Sequence, residues 1–179
     1  MTLRLAALVL AGGLAAGCTA AKPANQAPPP KSVAADLLDA QSRVVAHARV
    51  TPRGADSVAI AIDATDLLAP GPHGVHIHAV GRCDPPAFTT AGPHLNPGAR
   101  KHGLENPEGP HAGDMPNLEG THAVLVAAAT MQQIADSDGS AIVIHATKDD
   151  QATDPSGSSG ARVACGVISP PVPKKPSNP

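Results

Sequence analysis

Six of the nine histidines in this 179-residue chain fall into short, ordered motifs: His76-Ile77-His78, Gly92-Pro93-His94, Lys101-His102-Gly103, His111-Ala112-Gly113-Asp114 and Ile144-His145. Neutral imidazole is a borderline-soft nitrogen donor near physiological pH and the commonest side-chain metal ligand. Six such donors and one carboxylate are enough to hold two ions. Residues two apart in a strand project from one face, so His76 and His78 are preset to chelate one ion while Val75 and Ile77 face a core. His145 ends the apolar run that begins at Ala141 and can complete that site from across a sheet. His102, His111 and Asp114 suit a closed tetrahedral zinc site built from nitrogen and oxygen donors. His94 lies between the two sets, and an imidazole that has lost its proton can touch two ions at once. His47 and His122 each stand alone on a strand and read as scaffold, as does His73 at a strand start. A loose copper or zinc buffer is the rival reading of such a His-rich stretch.

The elements that must position these donors have a period of two. Val44 to Val50, then Val58, Ile60 and Ile62, then Val75, Ile77 and Ala79 alternate with polar or small residues. Val124 and Val126, Ile142 and Ile144, and Val163 to Ile168 supply further short strands. Pro52-Arg53-Gly54, Pro70-Gly71-Pro72 and Asp136-Ser137-Asp138-Gly139 break them. Many short strands with such turns predict an all-β antiparallel sandwich or barrel. Helix is expected only as a turn or two, over 36–41 or 127–134. Residues 81–118 and 149–162 carry Gly, Pro, Asn and Ser without alternation, and loops this long are usually functional. Four of the donors lie in the first of them, where metal would organise a segment that burial alone cannot fold.

Composition limits the rest. Charged residues make up 16% and the net charge is −2, which argues against nucleic acid as a partner. One Phe, no Tyr and no Trp leave a core of small aliphatic side chains, and burial free energy follows apolar area at roughly 25 cal/mol per Å². Something besides packing, a metal or a disulfide, is expected to add stability. Arg4, the apolar run Leu5 to Leu14 and Ala15-Ala16-Gly17-Cys18 resemble a bacterial lipoprotein signal over 1–17, with Cys18 as the lipidated residue. Residues 18–33 then form a Pro-rich tether, 34–169 the folded domain and 170–179 a Pro-rich tail. These features predict export to the cell envelope and anchoring to a bacterial membrane. With Cys18 set aside, Cys83 and Cys165 remain as an even pair in an oxidising compartment. A bridge between them would close roughly 80 residues and stabilise by about 4 kcal/mol; two buried free thiols are the alternative.

The segments Gly71 to His78, Gly92 to Pro97, Lys101 to Gly103, His111 to Asp114, Ile144-His145 and Gly160 to Ile168 resemble copper–zinc superoxide dismutase, in order and across most of 34–169. The resemblance implies an eight-stranded antiparallel Greek-key barrel or sandwich with two long functional loops. It implies copper at His76, His78, His94 and His145, and zinc at His94, His102, His111 and Asp114, with His94 as bridge. It pairs Cys83 with Cys165 and makes Asp149 the carboxylate that links a copper histidine to a zinc histidine. Arg162 takes the place of the arginine that draws superoxide to copper, so Arg162 and His94 carry the catalysis. The implied substrate is superoxide anion and the implied assembly a monomer or homodimer. Two departures stand out. Asn117 to His145 is short for the family, which predicts a trimmed strand or connection, and 149–162 is short and poor in lysine. A dismutase-like protein that binds copper and zinc without turnover is the alternative function.

Overall fold

The computed structural model describes residues 31–169. The signal segment, Cys18, most of the tether and the tail after 169 lie outside the described residues. Seven antiparallel strands form one sheet: β1 (Val33–Leu38), β2 (Val44–Arg53), β3 (Ser57–Ala64), β4 (Val75–His78), β5 (His122–Ala127), β6 (Ser140–His145) and β7 (Arg162–Ser169). Their order across the sheet is β4-β6-β7-β1-β2-β3-β5. An antiparallel bridge between His73 and Leu118, just upstream of β4 and β5, draws the two edges together into a nearly closed barrel.

The expected eighth strand is reduced to that bridge. Pro116 has no amide hydrogen to give a ladder, and the Asn117 side chain is turned to the backbone of Asp149. Leu118 alone is left to pair before Gly120, at φ +75°, turns the chain toward β5. The helical expectation also narrows. Residues 36–38 belong to β1, and the Asp39 carboxylate then accepts the Gln41 and Arg43 amides to close a turn. Among the described residues the α-helix is confined to Met131–Ile134, α1, whose Thr130–Gln133 capping box satisfies two amides at its start, and Thr89–Ala91 adds one 3-10 turn.

Alternation places the core as the sequence predicts. Val58, Ile60 and Ile62 of β3, Val75 and Ile77 of β4, and Ile142 and Ile144 of β6 all point into one aliphatic interior. β4 is buried on both faces: its valine and isoleucine meet that core, and its two histidines face the long loop that follows. A second, smaller cluster joins Phe88, Ala91, Ala141, Val143 and Cys165, with Cys83 packed against it. The single aromatic side chain of the sequence therefore seals the 81–118 loop onto β6 and β7, beside the Cys83–Cys165 disulfide. We expect that Cys83→Ser together with Cys165→Ser lowers stability by about 2–5 kcal/mol, read by denaturant unfolding; a loss well under about 1 kcal/mol would mean that packing and metal hold the loop unaided.

Candidate metal centre

The centre is assembled along the free edge of β4. Short antiparallel bridges set His94 beside His78 and Asp114 beside His76. The Ile77 amide donates to the Gly113 carbonyl at 2.9 Å, and the Leu95 amide donates to the Ile77 carbonyl at 2.8 Å. A Cβ on Gly113 would lie 2.3 Å from the Ile77 carbonyl oxygen, so only glycine lets the loop approach this closely. His145 arrives at the end of β6, and its amide donates to the Gly74 carbonyl.

Two adjoining donor clusters result. Ligand atoms of His76, His78, His94 and His145 lie within 4.8 Å of one another, and all four residues are buried. One ring nitrogen of each is held from behind. His76 Nε2 meets Asp149 Oδ2 at 2.7 Å, His78 Nδ1 the Gly92 carbonyl at 2.8 Å, His94 Nδ1 Asp114 Oδ1 at 2.9 Å and His145 Nδ1 the Gly160 carbonyl at 3.2 Å. The opposite nitrogens, His76 Nδ1, His78 Nε2, His94 Nε2 and His145 Nε2, have no hydrogen-bond partner. For His76, His78 and His145, a ring oriented by a carbonyl or carboxylate behind it, with its other nitrogen free, is the usual arrangement of a metal-bound histidine; the Nδ1 of His94 faces the second cluster.

The second cluster converges on Asp114 Oδ1, which lies 2.9 Å from His94 Nδ1, 3.1 Å from His102 Nδ1 and 3.2 Å from His111 Nδ1. His111 Nδ1 is 3.3 Å from His94 Nδ1. Four donors about 2.0 Å from one zinc ion are separated by roughly 3.3 Å at tetrahedral angles. His76 is also near this group, but its Nε2 is committed to Asp149, and its free Nδ1 belongs with the first set. His111 Nδ1 stands at the separation a fourth donor would have. Asp114 Oδ2 is occupied by the amides of Gly103 and His111, which leaves Oδ1 for the centre.

Asp149 spans the two clusters. Its carboxylate reaches His76 Nε2 at 2.7 Å and His102 Nε2 at 3.0 Å. Asn117 fixes its backbone from both sides, donating to the Asp149 carbonyl and accepting its amide. A Cβ on Gly157 would collide with the Asp149 carboxylate, so that glycine makes room for it. Arg162 lines the open funnel above the first cluster with His94, His111 and His145. Its guanidinium donates to the Phe88 carbonyl at 2.8 Å and the Gly92 carbonyl at 2.7 Å. Every donor expected from the motifs is thus in the centre. The motifs gave no sign of Asn117, Gly157 or the carbonyls of Phe88, Gly92 and Gly160, because backbone acceptors and loop residues carry no side-chain signature.

Burial sets the protonation of the site. Desolvation lowers His76 to about 3 and His145 to about 4, and pushes His78 well below the ordinary 6.5. These rings stay neutral and keep a lone pair for an ion. His102 differs: burial opposes its charge, but hydrogen bonds to Asp114 and Asp149 win and raise it to about 9. Both carboxylates are held well below the usual range, since bonds to His102 outweigh the burial that would raise them.

Four buried nitrogens without partners, His76 Nδ1, His78 Nε2, His94 Nε2 and His145 Nε2, test whether metal fits. Each unmet buried group costs about 1–3 kcal/mol, so the four together rival the about 5–15 kcal/mol of net stability a domain possesses. Metal removes that cost. Four nitrogens suit copper(II), and three nitrogens with one carboxylate oxygen suit zinc, so the donor sets are compatible with both.

An antiparallel barrel with two adjoining buried donor clusters on one strand edge defines a two-metal β-barrel protein. The family profile for copper/zinc superoxide dismutase (SODC) matches residues 44–168, and the chain belongs to that family. It is 38% identical over 145 residues to superoxide dismutase 1 (Cu-Zn) of Aquifex aeolicus, covering 75% of this chain and 85% of the relative. It is 36% identical over 174 residues to a superoxide dismutase-like protein of Bacillus subtilis, covering 86% and 89%. The crystal structure of a SOD-like protein from Bacillus subtilis superposes with a TM-score of 0.68 at 36% identity, over 75% of this chain and 97% of the other.

The histidine shifts give the metal-free protein a defined pH response. Stability from the depressed histidines is complete above the unfolded value of 6.5 and is lost as pH falls toward 4 and 3. Stability from His102 is complete below 6.5 and is lost as pH rises through about 9. The melting temperature in chelator should therefore peak near pH 6.5 and fall on both sides. Calorimetry showing a steady rise from pH 4 to 9 would contradict this.

Proposed function

We propose that the chain is a copper–zinc superoxide dismutase. His76, His78, His94 and His145 hold copper, and His94, His102, His111 and Asp114 hold zinc, with His94 shared. The observation that carries this reading is the pair of convergent sets of buried donors on either side of His94. Copper bound there supplies one-electron exchange with superoxide, so that two anions and two protons yield dioxygen and hydrogen peroxide.

The chain's own residues do the rest. His94 presents Nε2 to the first cluster and Nδ1 to the second, and Nε2 is the atom at which a proton is taken up and released. Asp149 fixes the rings of His76 and His102 from behind, and the second cluster, with Asp114, holds the Nδ1 side of His94 so that Nε2 keeps its direction. Arg162, pinned at the funnel wall by two carbonyls, provides a fixed positive charge that binds and orients the anion.

The sequence before residue 34 supports export of the enzyme from the cytoplasm, with lipidation at Cys18 and tethering to a membrane of the cell envelope. The Cys83–Cys165 disulfide supports an oxidising compartment. One observation favours a second reading, metal binding without turnover: the similarity to a protein of Bacillus subtilis described as superoxide dismutase-like. The complete donor set and Arg162 favour the enzyme.

A superoxide-decay assay on the copper- and zinc-loaded protein separates the two. Activity should far exceed that of free copper and vanish in His78→Ala. Arg162→Ala should retain metal and lose at least about tenfold in kcat/KM, with a weaker salt dependence than the parent, because electrostatic capture contributes 10–10³ in rate. A loaded parent protein no faster than free copper would establish the non-catalytic reading.

A further inference from the structure

The funnel above the first cluster carries two groups for which dismutation has no use. Asp136 and Asp138 line it together with His94, His145 and Arg162. The turn between α1 and β6 holds them there. Asp136 Oδ1 accepts the amides of Asp138 and Gly139 at 3.0 Å each, and Gly139, at φ +68°, leads the chain into β6. The Asp138 carbonyl accepts the Gly81 amide at 3.0 Å, which seats the turn on the chain leaving β4. Gly81 is three residues beyond His78, at most roughly 11 Å of extended backbone. Both carboxylates are thus anchored close to the donors, Asp136 half-buried and Asp138 exposed.

Their charge has the wrong sign for a substrate anion. Among the described residues lining the funnel, Arg162 is the one cation against two aspartates, so the metal-free mouth has one net negative charge. The guanidinium is held by the Phe88 and Gly92 carbonyls, which leaves the carboxylates free to act on a passing ion. On the floor below, His94 and His145 are buried, and each keeps an Nε2 without a partner. A negative mouth over unmatched lone pairs is an arrangement that collects a cation. A copper(II) ion seated on that floor reverses the sign, and the same funnel then favours an anion.

We propose that Asp136 and Asp138 mark the path by which copper enters the protein, drawing the hydrated cation into the funnel toward His78, His94 and His145. The proposal rests on reading the first cluster as the copper site, and it is independent of turnover. Charge lining a cleft raises the capture rate of an opposite ion about 10- to 10³-fold. Arg162 opposes the two aspartates, so the lower end of that range applies.

Stopped-flow mixing of copper(II) sulfate with the zinc-loaded, copper-free full chain tests the path, with the copper(II) absorption band as readout. In the double variant Asp136→Asn, Asp138→Asn, the asparagine carbonyl at 136 can accept the same two amides, so the turn is kept and the charge is lost. Its second-order uptake rate should be about tenfold below the parent at about 0.01 M salt, where the Debye length is about 30 Å. The two rates should converge at about 1 M, where that length is about 3 Å. An end-point spectrum equal to the parent's would show that rate is lost and the site is not. Azide titrated into the copper-loaded proteins should bind the variant more tightly than the parent at low salt, because the same charges repel an anion. Equal uptake rates at low salt, a difference undiminished at high salt, or azide binding no tighter in the variant would overturn the proposal. A parent protein that takes up no copper at all would overturn the copper reading and the path together, so the two failures are distinguishable.

Discussion

Lone pairs buried without donors are the constraint from which the rest of this structure follows. His76, His78, His94 and His145 each bring a ring into a buried region, and each keeps one nitrogen unmatched. A folded domain keeps such groups few, so four converging in one place call for a ligand. The second nitrogens are meanwhile tied down by carbonyls and carboxylates, which prevents the rings from turning to find partners. The polypeptide thus holds an arrangement that a bound cation resolves. Neutral rings in the first cluster suit this use, because an ion need not displace a proton from them. In the second cluster it must displace one from His102.

That constraint explains why the loops can be long. Residues 79–121 bury few large side chains, and their backbone depends on β4, on Gly113 and on the Asp114 carboxylate for its shape. The 146–161 segment is joined to the same loop through Asp149, and through Asp154, which accepts the His102 amide and faces Lys101. Each loop therefore uses the centre as its core. The aliphatic barrel beneath provides a rigid edge and little else, which is consistent with a sequence almost free of aromatic residues.

Much of this was legible in the sequence. Alternation at Val75 to His78 predicted which face of β4 would hold the donors, and the motif order predicted every donor that converges. The strand β1 escaped because Val33–Leu38 has only Leu37 fully buried, too little alternation to separate from a turn. The missing eighth strand depended on Asn117, whose side chain serves Asp149 where a ladder residue would face a neighbour. The contacts of His47 with Asp36 and of His122 with Asp63 span 11 and 59 residues of sequence. Register of that kind cannot be read from spacing.

The position of Arg162 shows how packing and chemistry are joined. Its guanidinium is held by carbonyls of Phe88 and Gly92, both on the 81–118 loop, although the residue itself opens β7. Phe88 is fixed in turn by burial against Ala141, Val143 and Cys165, and by the disulfide from Cys83 to Cys165. The charge at the funnel mouth is thus located by a side chain of β7 whose acceptors are placed by the disulfide loop. Two hydrogen bonds to neutral carbonyls hold the guanidinium without cancelling its charge, as a carboxylate partner would. The cation stays available to an anion while losing the freedom that a lone arginine on a loop would retain.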